Sequence, residues 1–142
     1  MSGKPWIYGK FSCNSLELTT LRGGPSSVSG NFNCRNNQLT SLEGAPSSIG
    51  GLFAGEINKI TSLHDIHKII NLMNGGIYLA NNPITSCVLG VLLIKGCGYL
   101  QLDNFQVQQI INKYLPNHRG FSAVIDCQSE LLDAGYDEYA KL

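Results

Sequence analysis

The sequence predicts an α/β solenoid: about five short coils stacked on one another, a short parallel sheet running down one side, and a helical cap at the C-terminal end. Three observations predict it. One passage is nearly written twice, "KFSCNSLELTTLRGGPSSVSG" from Lys10 to Gly30 and "NFNCRNNQLTSLEGAPSSIGG" from Asn31 to Gly51. Landmark residues recur at a step of 21: Gly9, Gly30 and Gly51; Phe11, Phe32 and Phe53; Leu18, Leu39 and Ile60; Leu21, Leu42 and Leu63. After Asn104 the repeat stops and apolar residues fall at helical spacing. A coil of this length cannot bury its own apolar side, but a stack of coils shares one continuous core.

The chain divides into an N-terminal cap (1–9), repeats (10–104) and a helical cap (105–142) within a single domain of 142 residues. Trp6 and Tyr8 stand in the N-terminal cap. In each copy Phe and Cys are two apart, which in a strand points both side chains to one face. Phe11, Phe32, Phe53 and Tyr78 then form one internal column, and Cys13, Cys34, Gly55 and Ala80 a second column of small residues. Asn37 and Asn58 suit a tight bend, where the amide bonds backbone groups that a turn leaves free. Leu16 stands where the first such asparagine would be. A fourth copy follows at Gly76, and Leu100, Leu102 and Asn104 echo Tyr78, Ala80 and Asn82; in that register Asn82 and Asn104 come one residue early.

The return paths change along the chain. "GGPSS" and "GAPSS" contain Pro and Gly and predict extended or turn-like crossings. "SLHDIHKIINLMNGG" places Leu63, Ile66, Ile69, Ile70 and Met73 at helical spacing, with Ser62 as N-cap and Gly75–Gly76 as a stop, and Ser86 to Lys95 predicts another helix. In the cap, Phe105 to Leu115 reads as a helix ended by Pro116, "SAVIDCQSELLDAG" as a second with Gly135 as its stop, and "YDEYAKL" as a short third turn. These helices are expected to shield the last strand edge.

The pattern Phe-x-Cys-x-x-Asn-x-Leu-Thr-Ser-Leu resembles the leucine-rich repeat, Leu-x-Leu-x-x-Asn-x-Leu, in its short bacterial form with "LTSL" and a proline-containing return. The chain also looks like short proteins with "LTSLEGAP" passages in tailed-phage genomes, and "CQSELLDAG" with the acidic aromatic tail belongs to the same likeness. The resemblance covers roughly Lys10 to Asn104. It implies a binding scaffold, and, for a phage-borne protein, an accessory factor that binds and inhibits a bacterial host protein in antiviral defence. Larger bacterial effectors with similar repeats carry a ligase domain; the stretch after Asn104 is too short for one.

Composition narrows the function classes. Ten basic residues balance ten acidic ones, with no basic patch for nucleic acid. Met1 to Lys10 lacks the apolar segment of a signal peptide. The longest apolar run, Val88 to Ile94, is too short to span a bilayer of about 30 Å. A cytoplasmic protein, in the host cytoplasm if phage-encoded, is expected. Cys13, Cys34, Cys87, Cys97 and Cys127 form no Cys-x-x-Cys pair and are expected to be structural. His64 and His67 could share a helix face and hold a metal, but no third ligand has suitable spacing. Cys34 repeats Cys13 at an inward position, as a core column does and a nucleophile has no reason to. "GGPSSVSG" lacks the Lys-Ser/Thr ending of a phosphate loop. Asp126, Glu130, Asp133, Asp137 and Glu138 form an acidic face on the cap. No cofactor or metal is expected, and no catalytic set converges.

The open sheet face carries the binding prediction. Residues flanking the inward pairs are Ser12 and Asn14; Asn33 and Arg35; Leu52, Ala54 and Glu56; Ile77, Leu79 and Asn81; and Tyr99, Gln101 and Asp103. Leu52, Ile77, Leu79 and Tyr99 form an apolar patch in this register, as a contact site would. A register shifted by one residue turns Ile77 and Leu79 inward instead. Five strands about 4.8 Å apart give a face of roughly 200 Å², against about 800 Å² per partner in a standard interface, so a protein partner must also touch loops or cap. The expected function is a non-enzymatic protein–protein interaction module with a bacterial host protein as partner, without nucleic acid or membrane. The alternative is a homo-oligomer that sequesters a nucleotide-like signal molecule near Arg35, Lys10 or Arg119.

Overall fold

The 21-residue step becomes a lateral one. A computed structural model describes residues 6–73, 75–115 and 120–142; Pro116 and Arg119 lie outside them. Phe11 pairs in register with Phe32, and Phe32 with Phe53, across parallel strands β2 (Phe11–Ser12), β4 (Phe32–Asn33) and β6 (Phe53–Ala54). β8 (Gly75–Tyr78) and β9 (Cys97–Gln101) complete a five-stranded sheet in the order β2-β4-β6-β8-β9. The protein is a parallel β-solenoid of about four turns with two α-helices after the last strand. The three phenylalanine rings form a file, with centroids 5.7 Å apart and nearly parallel at the first step and 5.5 Å apart at the second. Each such pair adds about 0.5–1.5 kcal/mol beyond area burial.

The returns build a second parallel sheet, which periodicity did not foretell. β1 (Trp6–Ile7), β3 (Ser27–Val28), β5 (Ser48–Ile49) and β7 (Asn71–Leu72) pair in that order. The Pro-Ser-Ser returns are thus extended, and their Val28 and Ile49 face the core. The third return is not the predicted helix. A 3₁₀ turn, Ile66–Lys68, leads into β7, and Met73 is exposed instead of lying on an apolar helix face. The ladder offered by β5 decides this: Asn71 N–H donates to Ser47 O (2.9 Å) and Met73 N–H to Ile49 O (2.9 Å). A continued helix would leave the β5 edge unpaired under the core. Ser62 does not cap a helix; its hydroxyl accepts from the His64 N–H at 3.0 Å. Ser86 to Lys95 likewise contains only a 3₁₀ helix, Leu89–Leu93.

The fourth passage corrects the register. Ile77, not Tyr78, pairs with Phe53, and Tyr78 pairs with Ala54. Ile77 and Leu79 are fully buried, while Tyr78 and Ala80 lie on the open face. Packing explains the choice. A Cβ added to Gly55 would come within 3.0 Å of Leu79 Cδ2 and 2.7 Å of Phe53 Cε1, so Leu79 occupies the room that glycine leaves in the small-residue column. Ala80 could not fill it.

The same shift restores the asparagine ladder. Asn82 falls 24 residues after Asn58, as Ile77 does after Phe53. Asn37, Asn58 and Asn82 are all buried. The Asn37 amide accepts from Leu16 N–H (3.0 Å) and Leu18 N–H (2.9 Å) of the preceding coil, and donates to Cys13 O (3.1 Å) there and to Cys34 O (3.0 Å) in its own. Asn58 accepts from Leu39 N–H, and Asn82 from Ile60 N–H. Each amide satisfies backbone groups that a tight bend would otherwise bury unpaired. Just before each ladder position the chain turns left-handed, at Ser15, Asn36, Ile57 and Asn81, all with φ between 55° and 60°. Asn104 is not on this ladder. It caps helix α1 (Phe105–Tyr114), accepting from Val107 N–H at 3.0 Å.

The helices close the far end. The Asn112 amide of α1 accepts from Leu100 N–H (2.9 Å) and donates to Leu100 O (2.8 Å), while Gln108 Oε1 accepts from Leu102 N–H (2.8 Å). The outer edge of β9 is thereby paired with side chains. Helix α2 (Phe121–Asp133) packs on α1 and on the second 3₁₀ helix, burying Ala123, Val124, Cys127 and Leu131. Past the left-handed Gly135 the tail turns back. Its carbonyls at Glu138, Tyr139 and Lys141 accept from the N–H groups of Cys87, Val88 and Leu89, which open the second 3₁₀ helix, and Leu142 O accepts from Asp65 N–H.

Candidate functional site

Strand alternation and register fix what the five-stranded sheet shows to solvent. One row across it is Ser12, Asn33, Ala54, Tyr78 and Gln101. The next, two residues on, holds Asn14, Arg35, Glu56, Ala80 and Asp103. Tyr99 sits at the start of the last strand, beside Tyr78, with ring centroids 5.7 Å apart. The Tyr99 hydroxyl accepts from Gln108 Nε2 at 3.1 Å, which ties the ring to α1.

The predicted apolar patch dissolves. Ile77 and Leu79 are core residues; of the four, only Leu52, half-buried beside the inward Phe53, and Tyr99 keep outward positions. Asn81 is exposed in the left-handed turn beyond β8, its N–H donating to Asp103 Oδ1 at 2.9 Å. Asn33 Oδ1 accepts from Arg35 N–H at 3.0 Å. In place of the patch stands a polar face with an aromatic corner. Tyr78 is the residue that the earlier register hid. The 24-residue spacing of Asn58 and Asn82, matched to Phe53 and Ile77, is the signal that finds it.

Electrostatically the face is balanced. Arg35 Nε lies 3.4 Å from Glu56 Oε1. That geometry makes an ion pair, not a hydrogen bond, so Glu56 Oε1 remains a buried acceptor without a hydrogen-bond donor, and so does Gln101 Oε1. Glu56 follows β6 and Gln101 ends β9, the strands on either side of β8. Each of these oxygens is desolvated without a compensating hydrogen bond.

Beyond Tyr99 the surface continues onto the cap. A shallow groove of about 860 Å³ runs along α1, lined by Tyr99, Phe105, Gln109, Ile110, Lys113 and Tyr136. Phe105 is 62% exposed. At its margin Tyr114 Oη donates to Glu130 Oε1 (2.7 Å), and Lys113 Nζ donates to Glu130 Oε2. The hydrogen bond to Glu130 pushes the Tyr114 hydroxyl up to about 12, and Lys113 and then Tyr114 hold the Glu130 carboxyl below its ordinary value. Part of the acidic face is therefore engaged: Glu130 with Lys113, and Glu138 with Lys141.

The remaining candidates do not converge. Cys34 is fully buried, and burial pushes its thiol well above the usual range; burial also raises Cys97 to about 11 and Cys127 to about 12. Such thiols stay protonated near neutral pH and serve as packing. His64 is exposed and sits 3.2 Å from Asp65 Oδ2, while the His67 ring lies against Gly90. Among the described residues no cluster of three or more metal-ligating side chains exists. Lys10 and Arg35 stand near opposite ends of neighbouring strands, and Arg119 lies outside the described residues. Among the described residues no helix is long and apolar enough to cross a membrane. No protein-family model, curated protein or solved structure matches the chain.

Proposed function

We propose that the protein is a non-enzymatic binding module of the leucine-rich-repeat type, five coils long, that takes a protein partner on its open sheet face. One observation carries this reading: Tyr78 and Tyr99 stand together on that face, with Arg35 on the same face two strands away, and Tyr99 also lines the groove of Phe105 and Ile110. Tyrosine and arginine are the residue types on which interface energy concentrates. The extension onto α1 also supplies the area that a sheet of this size lacks for a stable protein contact. The asparagine ladder supports the repeat type, since each amide serves the backbone of its own coil and of the one before. Following the likeness to phage-borne repeat proteins, the partner is a bacterial host protein of antiviral defence, met in the host cytoplasm. The nucleotide-sequestering alternative has less support, because Arg35 already faces Glu56 and no other described cation joins it.

Affinity capture from bacterial lysate tests the reading, comparing the intact chain with a Tyr78→Ala/Tyr99→Ala variant. Both tyrosines are surface residues, so the fold should survive, as far-UV circular dichroism will show. Loss of the captured protein by at least about tenfold is expected, since two hot-spot side chains are worth more than about 1.4 kcal/mol together. Equal capture by both chains removes the sheet face as the binding site.

A further inference from the structure

The aromatic corner of the open face holds a carboxylate without a counter-charge. In the outward rows of the five-stranded sheet the charged members are Arg35, Glu56 and Asp103. Arg35 and Glu56 face each other. Asp103 is exposed, and among the described residues no cation pairs with it. Its carboxylate is nonetheless held in place: Oδ1 accepts from the Asn81 N–H, at 2.9 Å, in the left-handed turn beyond β8. Oδ2 receives no donor from the described residues and is left for another. Tyr78 pairs in register with Gln101, two residues before Asp103. The same register carried two residues on sets Ala80 beside Asp103. Ala80 presents only a methyl group, so the row dips between Glu56 and Asp103, which stand roughly 10 Å apart at the backbone by strand spacing. The Tyr78 and Tyr99 rings are tilted by 38° to each other with centroids 5.7 Å apart, and Gln108 anchors the Tyr99 hydroxyl.

We infer that this corner is a subsite for one arginine side chain of the protein partner; the inference rests on the reading above that a partner sits on the open face. A partner that covers Tyr78 and Tyr99 also takes water from Asp103. A carboxylate desolvated without a counter-charge is strongly unfavourable, so the partner must bring a cation to this spot. The surroundings select the kind of cation. A guanidinium is planar, and it can lie against a tyrosine ring while its fork of N–H donors reaches Oδ2. The apolar stem of the same side chain fits the dip over Ala80. An ammonium meets the carboxylate as a point charge and gains less from the rings. Arg35 does not oppose the arrival. It lies three strand spacings from Asp103, about 14 Å, beyond the Debye length of about 8 Å at physiological salt, and Glu56 already answers its charge. A neutral or acidic side chain at this point leaves Asp103 uncompensated, so the carboxylate that favours an arginine also turns other partners away.

N-acetyl-arginine amide serves as the probe, since it carries the guanidinium and no charge at its ends. Titrated into the full isotope-labelled chain at low salt and followed by NMR, it should move the amide resonances of Tyr78, Tyr99, Gln101 and Asp103 along one saturating curve. The citrulline analogue, of similar shape without the charge, should bind at least about threefold more weakly, and the lysine analogue should bind between the two. Asp103→Asn keeps the oxygen that accepts from Asn81 and removes only the charge; it should weaken arginine binding at least about threefold. Tyr78→Ala should weaken it about threefold as well. The comparison of the three probes on the unaltered chain needs no variant to fold. Arginine that moves none of these resonances overturns the inference. So does citrulline or lysine binding as tightly as arginine, or undiminished binding to Asp103→Asn. Lysate capture separates the subsite from the reading beneath it. Protein captured equally well by Asp103→Asn overturns the subsite and leaves the binding module standing. Selective arginine binding by a chain that captures nothing keeps the subsite and removes the module.

Discussion

The first and last strands of the five-stranded sheet belong to one repeat pattern but meet different neighbours. At β9 the chain spends a ten-residue helix on pairing a single edge, with Asn112 and Gln108 imitating the backbone of a further strand. At β2 no side chain among the described residues does this, and Leu16 stands in place of the ladder amide. An edge strand is usually blunted by shortness, charge or cover. β9 is covered; β2 is only short. In a solenoid, where each coil answers to its neighbours alone, stability should therefore fall from the middle toward the near end and hold up toward the far end.

The largest expected effect tests the middle against the near end. Phe32→Ala removes a ring stacked on both sides and should cost about 3–5 kcal/mol, whereas Phe11→Ala, stacked on one side, should cost about half as much. Denaturant midpoints measure both, and equal losses would erase the difference between middle and end. The ladder comes next. Asn58→Ala strands the Leu39 N–H and removes one of two amide donors from each of the Cys34 and Gly55 carbonyls, which keep Asn37 and Asn82, and should cost about 1–3 kcal/mol. Asn112→Ala should cost about 1–2 kcal/mol and speed amide exchange at Leu100 more than at Phe32, because only the far edge loses its partner. The smallest effect is in pH. Tyr114 is raised in the fold, so its contribution is complete below its free value near 10 and is lost as pH climbs toward about 12. Glu130 is lowered, so its contribution holds above its free value near 4.3 and fades as pH falls further. Each loss should stay under about 1 kcal/mol, since the groups are partly solvated. Tyr114→Phe should abolish the alkaline loss in thermal melts.

The repeat itself was legible because identical residues at identical spacing must stack if any of them are to be buried. That put Phe11, Phe32 and Phe53 in one file and Asn37 and Asn58 in one ladder. The second sheet was not legible, because strands of two residues, such as Ser27–Val28, leave no alternation to read. The third return misled for a related reason. Leu63, Ile66, Ile70 and Met73 do have helical spacing, but a neighbouring strand edge outweighed it, and Met73 went to solvent. The open face was half legible. Asn33, Arg35, Glu56, Tyr99, Gln101 and Asp103 stand where alternation put them. Ile77 and Leu79 do not, because the longer third return moved the register by one residue. Gly55 and Asn82 together held the information needed to correct it: one needs a large neighbour, the other a bend at the right place.

The reach of the ladder amides, one coil back and no further, sets how such a chain can change length over evolutionary time. Duplicating a whole unit inside the stack hands every amide the neighbour it already expects, so the newcomer seats itself and nothing downstream has to be rewritten. Deleting one residue from a strand does the opposite, turning the Phe and Asn of that unit away from both neighbours at once. Gene-level tinkering in this protein should therefore be tolerated in whole rungs and punished in fractions of one.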